Sequence, residues 1–435
     1  MSTPRLPKAA RRVVLASFMG SAFEWYDFSL YGTTAALVFN QVFFPGSDAA
    51  VGSLLALTTT AVGFVTRPVG GIVFGHFGDR VGRKKLLVLT MLIMGVPTIL
   101  IGLLPGYATL GPAAPVLLLI MRMLQGIGLG GEYAGAALAT IESVPQGRRG
   151  FFGAIPQIGN PAGGMLGSVV VLLCNTLTSD EQYAAWVWRV PFLLSGILLV
   201  YAMVVRLRLT ETGDFDQARR ERRVERAPLL ALVRHHWRPL LLGLGARSAD
   251  AVSGNVAGAV VIAYTVTYLQ MSNDISLINN ILPNVLSIPL MLWMGRFGDV
   301  IGRKRLFVWG LVATAVATFP LFGLMDTKAL PLMVLGITLF KLCNSTQFAV
   351  QSAFLADVFP TEVRYTAVSC VYQISSIIGG LTPPAAAAIL IASHGNPWPL
   401  AAAIFGVCAL SALCAAAMRP QTEAGSPVYH AQGVR

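Results

Sequence analysis

The chain contains twelve long apolar stretches, each long enough to form a helix that crosses a lipid bilayer. About 20 consecutive apolar residues span the roughly 30 Å of hydrocarbon. The strands of a membrane β-barrel would instead alternate apolar and polar residues over about ten positions. The sequence therefore predicts an all-α integral membrane protein with twelve transmembrane helices. The predicted spans lie near 13–39, 49–74, 86–104, 115–141, 151–174, 188–207, 239–270, 275–294, 306–325, 331–356, 366–392 and 398–418.

The composition also favours a lipid environment. Hydrophobic residues make up 55% of the 435 residues and charged residues only 12%, whereas about a quarter of the residues in soluble domains are charged. This balance excludes a soluble enzyme, a secreted disulfide-rich scaffold and a disordered chain. The five cysteines lie in apolar runs and have no ligand spacing with the five histidines. The sequence therefore predicts no metal site, no disulfide framework and no cofactor.

The net charge of +12 is explained by membrane topology. Lys and Arg cluster in the N-terminal arm and in every second loop, whereas the loops on the opposite side of the membrane contain only Lys328. By the positive-inside rule the basic side faces the cytoplasm, and both termini lie there. A multi-pass protein of the cytoplasmic membrane therefore accounts for the charge better than a nucleic-acid-binding protein does.

An internal repeat divides the chain into two halves. The segment 75–85 recurs 220 positions later at 295–305, and Glu142 recurs 215 positions later as Asp357. Similar offsets for separate motifs predict two pseudo-symmetric six-helix halves in parallel orientation, related by an axis along the membrane normal. The predicted parts are an N-terminal half 1–208, a cytoplasmic linker 209–236, a C-terminal half 237–418 and a cytoplasmic tail 419–435.

Several motifs resemble those of a known family. The loop motif GxxxDRxGRKK at 75–85 resembles the best-known signature of the major facilitator superfamily. Within that superfamily, four segments resemble the metabolite:proton symporter family, whose members carry proline and betaine, shikimate, citrate, 2-oxoglutarate and other small carboxylates. The resemblance implies a proton-coupled transporter with the major facilitator fold. The four segments are 24–28, 67–71, 122–133 and 188–192.

The repeated loop motif brings acids and bases to the ends of helices. Asp79 follows a glycine at such an end, where a carboxylate can meet the partly positive N-terminus of a neighbouring helix, and Arg83 can face anionic lipid or Glu142. Contacts of this kind break and re-form when the two halves move, so we expect a gating role. The alternative is that these charges only fix the topology. The candidate gating residues of the loops are Asp79, Arg83, Glu142, Arg149, Asp299, Arg303, Asp357 and Arg364.

Ionisable side chains inside the spans are candidates for function, because each costs at least ~2.5–3.5 kcal/mol at the centre of the bilayer. Asp27 lies near the middle of span 1, with Glu24 on the same helical face. In the superfamily, spans 1, 4, 7 and 10 line the central cavity, and in its sugar:proton symporters an acid of span 1 and an arginine of span 4 couple transport to a proton. The resemblance therefore implies that Asp27 and Arg122 form this pair. The alternatives are that the pair is static and that Glu24 carries the proton.

Cations near the expected cavity indicate an anionic or zwitterionic substrate. The guanidinium of Arg122 can hold a substrate carboxylate with two hydrogen bonds. Arg247 and Asp250 either contact the substrate or neutralise each other, and Lys341 either binds the substrate or makes a lateral structural contact. Further candidates for the substrate site, unless they serve only in packing, are Tyr26, Tyr31, Gln157, Asn344 and Gln373.

Arg67 and Glu132 lie at similar depths in spans 2 and 4. Both are about seventeen residues from the outer ends of their helices, or roughly 25 Å at 1.5 Å per residue. Equal depth favours an ion pair between them, with a role in the structure or in an inner gate. The alternative assigns Glu132 to the proton path.

The sequence thus predicts a symporter, not an enzyme, since no catalytic constellation is present. Its expected cargo is a small mono-, di- or tricarboxylate or a zwitterion, imported with a proton as coupling ion by alternating access. The alternatives are a proton-coupled osmolyte carrier for proline or betaine, and an uncoupled facilitator or exporter on the same fold. We expect a monomer in the lipid bilayer.

Overall fold

The structure is a computed structural model. Throughout the part that it describes, the chain is helical and forms no strand, as predicted. Eight of its helices are long and apolar enough to cross a bilayer on these grounds alone. The count of twelve spans stays a prediction. The described residues are 6–45, 59, 62–74, 76–77, 83–207, 228–271 and 273–420.

The long helices follow the predicted spans closely, and we number them α1 to α12 in chain order. Several contain proline, which membrane helices tolerate because neighbouring helices satisfy the freed backbone groups. Their bounds are α1 Lys8–Thr34, α2 Val62–Phe74, α3 Arg83–Leu103, α4 Ala113–Glu142, α5 Arg149–Thr176, α6 Arg189–Leu207, α7 Trp237–Asn255, α8 Asn273–Ile301, α9 Arg303–Met325, α10 Leu330–Val358, α11 Arg364–Ala392 and α12 Trp398–Ala417.

Helices α1 and α7 are each extended through a π-helical turn. Ala35–Phe39 follows α1 and Val256–Val260 follows α7, and α-helical residues then continue each span to Phe43 and Thr267. The two turns lie at matching places in the two halves. A π-turn frees backbone groups from the regular hydrogen-bond ladder, and such turns are frequent at functional sites. The polar residues of α1 and α7 explain why hydropathy alone does not identify them as spans.

The helices pack in the same pairs in both halves. In the first half α1 packs on α4, α5 and α6, and α3 packs on α4 and α6. In the second half α7 packs on α10, α11 and α12, and α9 packs on α10 and α12. Between the halves, α5 packs on α8 and α10, and α4 packs on α10 and α11. A shift of six helices relates the two sets, as expected for a repeated unit.

A glycine in α4 allows α2 to approach closely. A Cβ atom at Gly130 would collide with the backbone of Arg67 and Gly71 in α2. Small residues at helix crossings allow this close packing in membranes. The face of α4 that carries Gly130 is therefore covered by α2. Glu132, two positions later in α4, points away from this face.

The two halves meet at one end of the bundle, which we call the basic end. At this end α4 connects to α5, and α8 connects to α9. Among the described residues, the hydrogen bonds and ion pairs that join the halves lie in the half of the bundle nearer this end, so the structure is closed there. The cations at this end include Arg148, Arg149, Arg303, Lys304, Arg305 and Arg364.

Candidate functional site

Asp27 of α1 is fully buried and is held by neutral hydrogen-bond donors. Thr98 of α3 donates to Asp27 Oδ1 (2.7 Å), and Gln125 Nε2 of α4 donates to both carboxylate oxygens (3.0 Å each). Arg122 Nη1 lies 3.8 Å from Asp27 Oδ2 and donates instead to Gln125 Oε1 (3.1 Å). The structure therefore brings Asp27 and Arg122 together, with Gln125 as a bridge between them. Sequence analysis missed both Gln125 and Thr98.

Arg122 is enclosed by polar and aromatic groups. Its Cζ atom lies 3.8 Å from the ring centroid of Tyr31, whose hydroxyl forms a 2.5 Å hydrogen bond with Thr59. A cation over an aromatic face is stabilised most where water is excluded, and Arg122 is only 2% exposed. Both Arg122 and Tyr31 thus belong to the Asp27 network in this state.

Glu132 of α4 pairs with Arg206 of α6, so the predicted pair between Arg67 and Glu132 is wrong. Both nitrogens of the Arg206 fork contact the carboxylate, one of them at 2.8 Å, and both side chains are 1% exposed. Arg206 Nη1 also donates to the carbonyl oxygen of Leu87 in α3 (2.6 Å). This pair therefore ties three helices of the first half together.

The rotation of α4 explains the change of partner. Gly130 faces α2, and each residue turns a helix by about 100°, so Glu132 points to the opposite side. There Gly20 of α1 leaves the space that Glu132 and Arg206 occupy. From the sequence, Arg206 is grouped with the basic residues after span 6, although its position within the apolar run could have identified it as buried.

Arg67 of α2 lies between aromatic rings and near Glu24. Its Cζ atom is 4.6 Å from the Phe64 centroid and 5.6 Å from the Phe28 centroid. Glu24 is the opposite charge that acts most strongly on Arg67. The cation that we expected beside Glu132 therefore lies between aromatic rings instead, within electrostatic range of Glu24.

Glu24 and Glu132 line a common internal cavity of about 10 Å³. Gln157 of α5 also lines it and donates a 2.7 Å hydrogen bond to the hydroxyl of Tyr133, a further lining residue. A space of this size is close to the minimum for one water molecule. Two acids from different helices thus share one small polar cavity.

Arg247 and Asp250 of α7 pair with each other in this state. Arg247 Nη2 lies 3.5 Å from Asp250 Oδ2, and Nη1 donates to Ser375 Oγ of α11 (2.9 Å). The guanidinium carbon lies 3.7 Å from the ring centroid of Tyr372. Tyr133 of α4 stacks on Tyr372 with centroids 3.4 Å apart and planes inclined by 17°. An aromatic stack between the halves therefore adjoins the Arg247 pair.

Lys341 of α10 lines a second cavity, of about 60 Å³, between α7, α8 and α10. Within the described part of the chain, its ammonium group forms no hydrogen bond or ion pair. It was predicted as a substrate contact, and its position in a cavity is compatible with that role. The residues that line this cavity are Gly254, Ala257, Gly258, Pro283, Asn284, Ile337 and Lys341.

Three other predicted substrate contacts line neither cavity, and two of them, Tyr26 and Gln373, bond between helices whereas Asn344 bonds within α10. The hydroxyl of Tyr26 donates to the carbonyl oxygen of Pro191 in α6 (2.8 Å). Gln373 Nε2 donates to two backbone carbonyl oxygens of α4 (3.0 and 3.2 Å). Asn344 Oδ1 accepts a 2.6 Å hydrogen bond from Gln347. These contacts give the three side chains structural partners in this state.

Asp299 at the basic end caps the N-terminus of α5 across the two halves. Its carboxylate accepts hydrogen bonds from the backbone N–H groups of Gly150 (2.7 Å) and Phe151 (2.9 Å). The N-terminus of a helix is partly positive and stabilises a carboxylate. Arg303 Nε lies 3.3 Å from Asp299 Oδ1 and holds it from the other side. In the loop motif at 295–305, Asp299 thus makes the contact with a helix N-terminus that we expected for Asp79 in the motif at 75–85.

Arg303 connects this cap to two more groups. Its Nη1 atom lies 2.5 Å from Asp357 Oδ2 at the end of α10. Its Nη2 atom donates to the backbone carbonyl of Gln146, just before α5 in the other half. One guanidinium therefore joins residues of both halves at the basic end.

A second ion pair joins the two halves at the same end. Arg364 Nη1 lies 3.2 Å from Glu142 Oε1, linking the start of α11 to the end of α4. Arg149, another predicted gating residue, begins α5 beside the residues that Asp299 caps. Asp79 lies outside the described residues, as does the side chain of Arg83.

Comparison with known proteins agrees with this architecture. The family model described as "Sugar (and other) transporter" matches residues 13–227, and the "Major Facilitator Superfamily" model matches residues 244–432. The shikimate transporter of Escherichia coli K12 is 36% identical over 422 residues, which cover 95% of this chain and 96% of that protein. The proline/betaine transporter of Salmonella typhimurium is 34% identical over 403 residues, 89% of this chain and 79% of that protein.

A solved structure shows the same fold. The proton:xylose symporter XylE bound to 6-bromo-6-deoxy-D-glucose superposes with a TM-score of 0.74 at 17% sequence identity, over 94% of each chain. At this identity the match establishes the fold and nothing further. It confirms the predicted major facilitator architecture.

The two family models and the transporters among the relatives show that the chain is a membrane transporter and not an enzyme. The chain belongs to the major facilitator superfamily, among its shikimate, proline/betaine and metabolite transport proteins. The family predicted from the sequence motifs is therefore confirmed.

Proposed function

We propose that this protein is a proton-coupled symporter that imports a small organic acid or zwitterion across the cytoplasmic membrane. The observation that carries the proposal is the fully buried carboxylate of Asp27, linked to Arg122 through Gln125. Burial favours the protonated form of an acid, and a nearby guanidinium favours the ionised form. A change in the separation of Asp27 and Arg122 during transport therefore binds or releases a proton, which serves as the coupling ion.

The substrate class rests on buried cations and on the relatives. One relative is named for shikimate and another for glycine betaine, proline, ectoine and pipecolic acid, and all of these molecules carry a carboxyl group. Arg122, Arg247 and Lys341 supply positive charge inside the helices of this chain. Guanidinium and ammonium groups recognise carboxylates. A carboxylate or a zwitterion is therefore the cargo that we propose.

Alternating access follows from two halves joined at one end. The basic loops favour a cytoplasmic basic end with both termini inside, and one relative is named as an inner membrane metabolite transport protein. The halves 1–208 and 237–418 then rock about the central site, the linker 209–236 and tail 419–435 being cytoplasmic. Opening toward the cytoplasm breaks the contacts of Asp299, Arg303 and Arg364. The monomer suffices for this cycle.

Uptake by purified protein in proteoliposomes tests the proposal. With a proton gradient imposed, the wild type accumulates its substrate above the external concentration, and a protonophore abolishes accumulation. Asp27→Asn abolishes accumulation, because Asn cannot carry the proton, and Asp326→Asn, at the opposite end of the bundle from the gate contacts, does not. Accumulation by Asp27→Asn equal to that of the wild type would refute the coupling role.

A second candidate is uptake of an osmolyte such as proline or betaine. It is favoured by relatives of 34% and 36% identity that are named for these substrates. Uptake assayed at low and high osmolality separates an osmolyte carrier from an organic-acid symporter, since an osmolyte carrier is expected to respond to osmolality. An uncoupled facilitator or exporter on the same fold would equilibrate its cargo without accumulating it in the proton-gradient assay.

A further inference from the structure

Lys341, which is partly buried, differs from the buried arginines inside the helices, because those arginines already have partners. Arg122, Arg206 and Arg247 each lie within 4.0 Å of a carboxylate, and Arg67 lies between aromatic rings. In the part of the chain that the structure describes, Lys341 has neither a hydrogen bond, nor an ion pair, nor an aromatic ring over its ammonium group. No described residue therefore serves as a direct partner of its ammonium group.

The depth of Lys341 makes this lack of a partner costly. Lys341 lies about three turns into α10, or about 16 Å from the end of the helix at 1.5 Å per residue. A charge this far into a bilayer needs a counter-charge or water, and such residues mark substrate and ion pathways. The acid that acts on Lys341 is Asp250, which Arg247 already holds at 3.5 Å. Water or an anion from outside the protein can therefore meet the charge of Lys341.

The cavity in front of Lys341 has room for such a group. Its volume of about 60 Å³ is several times the roughly 10–15 Å³ that one water molecule needs. Gly254 and Gly258 form part of its wall, and a Cβ atom added to either would meet no other atom within 4 Å. Asn284 of α8 adds a polar side chain. The cavity therefore has free space beside the two glycines on its α7 side.

The local backbone also favours a ligand at this place. The π-turn Val256–Val260 contains Gly258 and Ala257, both of which line the cavity. A π-turn leaves backbone polar groups outside the regular ladder, where they can meet a ligand. The cation, the open wall and the interrupted helix therefore occur together at one position between α7, α8 and α10.

We propose that this cavity binds the carboxylate group of the transported substrate, with the ammonium group of Lys341 as its counter-ion. The inference rests on the proposed function and names one subsite within it. It assigns the carboxylate to the second half of the molecule, whereas Asp27 and Arg122 in the first half handle the proton.

Ligand binding to the purified full-length protein tests this assignment. Isothermal titration with shikimate, citrate, 2-oxoglutarate, proline and glycine betaine first identifies which of these probes binds the wild type. Lys341→Met keeps the length of the side chain and removes the charge, and it should weaken binding of that probe about 10- to 100-fold. Lys341→Arg should retain most of the affinity, and Lys328→Met, which removes an exposed lysine, should retain all of it.

A neutral ester of the same probe sharpens the test. If Lys341 holds the carboxylate, the methyl ester should bind the wild type about as weakly as the acid binds Lys341→Met. The ester should also be insensitive to Lys341→Met, which a merely structural role would not produce. Gly254→Leu, which fills the cavity without changing the charge, should weaken binding of the acid as well.

Three results would overturn the inference. They are equal losses for acid and ester in Lys341→Met, unchanged affinity for the acid in Lys341→Met, and no binding of any carboxylate to the folded wild type. The first two leave the proposed symport intact, since its own test is accumulation by Asp27→Asn. Failure of that separate test leaves the assignment of the carboxylate to Lys341 standing.

Discussion

Arg122 and Asp27 face each other across 3.8 Å, measured from Nη1 to Oδ2, without a hydrogen bond between those two atoms. Gln125 fills the gap and bonds to both side chains. A direct, bidentate pair in a dry site would be hard to separate. A pair bridged by a neutral amide can change its spacing by a small movement of α4 against α1, which suits a site that must load and release a proton.

The first prediction concerns this bridge. Gln125→Leu removes the amide, so the carboxylate of Asp27 loses two hydrogen bonds and keeps the one from Thr98. Losing hydrogen bonds to a buried charged group costs about 1.5–3 kcal/mol, so we expect the rate of proton-driven uptake to fall about 10- to 100-fold. The measurement is the initial rate of proton-driven uptake, with the exposed Gln41→Leu as control. Uptake by Gln125→Leu at the wild-type rate would show that the bridge is dispensable.

The second prediction concerns the pair between Arg206 and Glu132. Arg206→Leu leaves Glu132 as a buried charge without its partner, which typically costs about 3–5 kcal/mol. We expect a clearly lower Tm in detergent, and partial recovery when Glu132→Gln is added. The matched control is Arg419→Leu, which removes an exposed arginine. A normal Tm for Arg206→Leu would contradict the stabilising role.

The third prediction concerns the cap of α5. Asp299→Ala removes a carboxylate that accepts two backbone hydrogen bonds, and such charged bonds contribute about 1.5–3 kcal/mol. The population closed at the basic end should fall about 10- to 100-fold relative to the open one.

A cysteine at a buried position of the interface reports this change. Ser352→Cys replaces a side chain that is fully buried and bonds to Gly153 across the halves. Alkylation of this cysteine should become faster with Asp299→Ala, after subtraction of the reaction at native cysteines. Asp326→Asn serves as the control at the other end. Unchanged alkylation would exclude Asp299 from the closed gate.

The fourth prediction concerns packing between α2 and α4. Gly130→Ala places a Cβ atom against the backbone of Arg67 and Gly71, and overpacking of this kind costs about 1–3 kcal/mol. Its Tm should fall, whereas Gly164→Ala on α5 should be neutral because a Cβ atom there meets nothing within 4 Å. Equal Tm values for the two variants would disprove the close contact.

Much of the fold was predictable because a bilayer imposes simple rules on each segment. Apolar length predicted the spans, and the repeat at 75–85 and 295–305 predicted matching halves, which appear in the structure as matching helix pairs. The family motifs brought Asp27 and Arg122 together correctly. The spans, the repeat and the family motifs can be read from the sequence because each depends on local properties, namely the transfer of single residues into lipid and short recurring motifs.

The partners of the buried charges were less predictable. Arg67 and Glu132 have similar depths, yet Glu132 bonds to Arg206 because α4 is rotated to face Gly20. Depth along a helix can be counted from the sequence, but the direction of a side chain around the helix also depends on its neighbours. Gln125 was not predicted because it is uncharged, although it bonds to both Asp27 and Arg122.

The sequence by itself determined that this chain spans a membrane as two related sets of helices with acids and bases inside them, because the cost of burying each residue in lipid is local. Only the tertiary structure decided which of the described charges pair with one another, and that Lys341 lines a cavity without an ion pair to a described residue. Those outcomes depend on how the helices rotate and where glycines leave space, and both are set by packing between segments far apart in the chain.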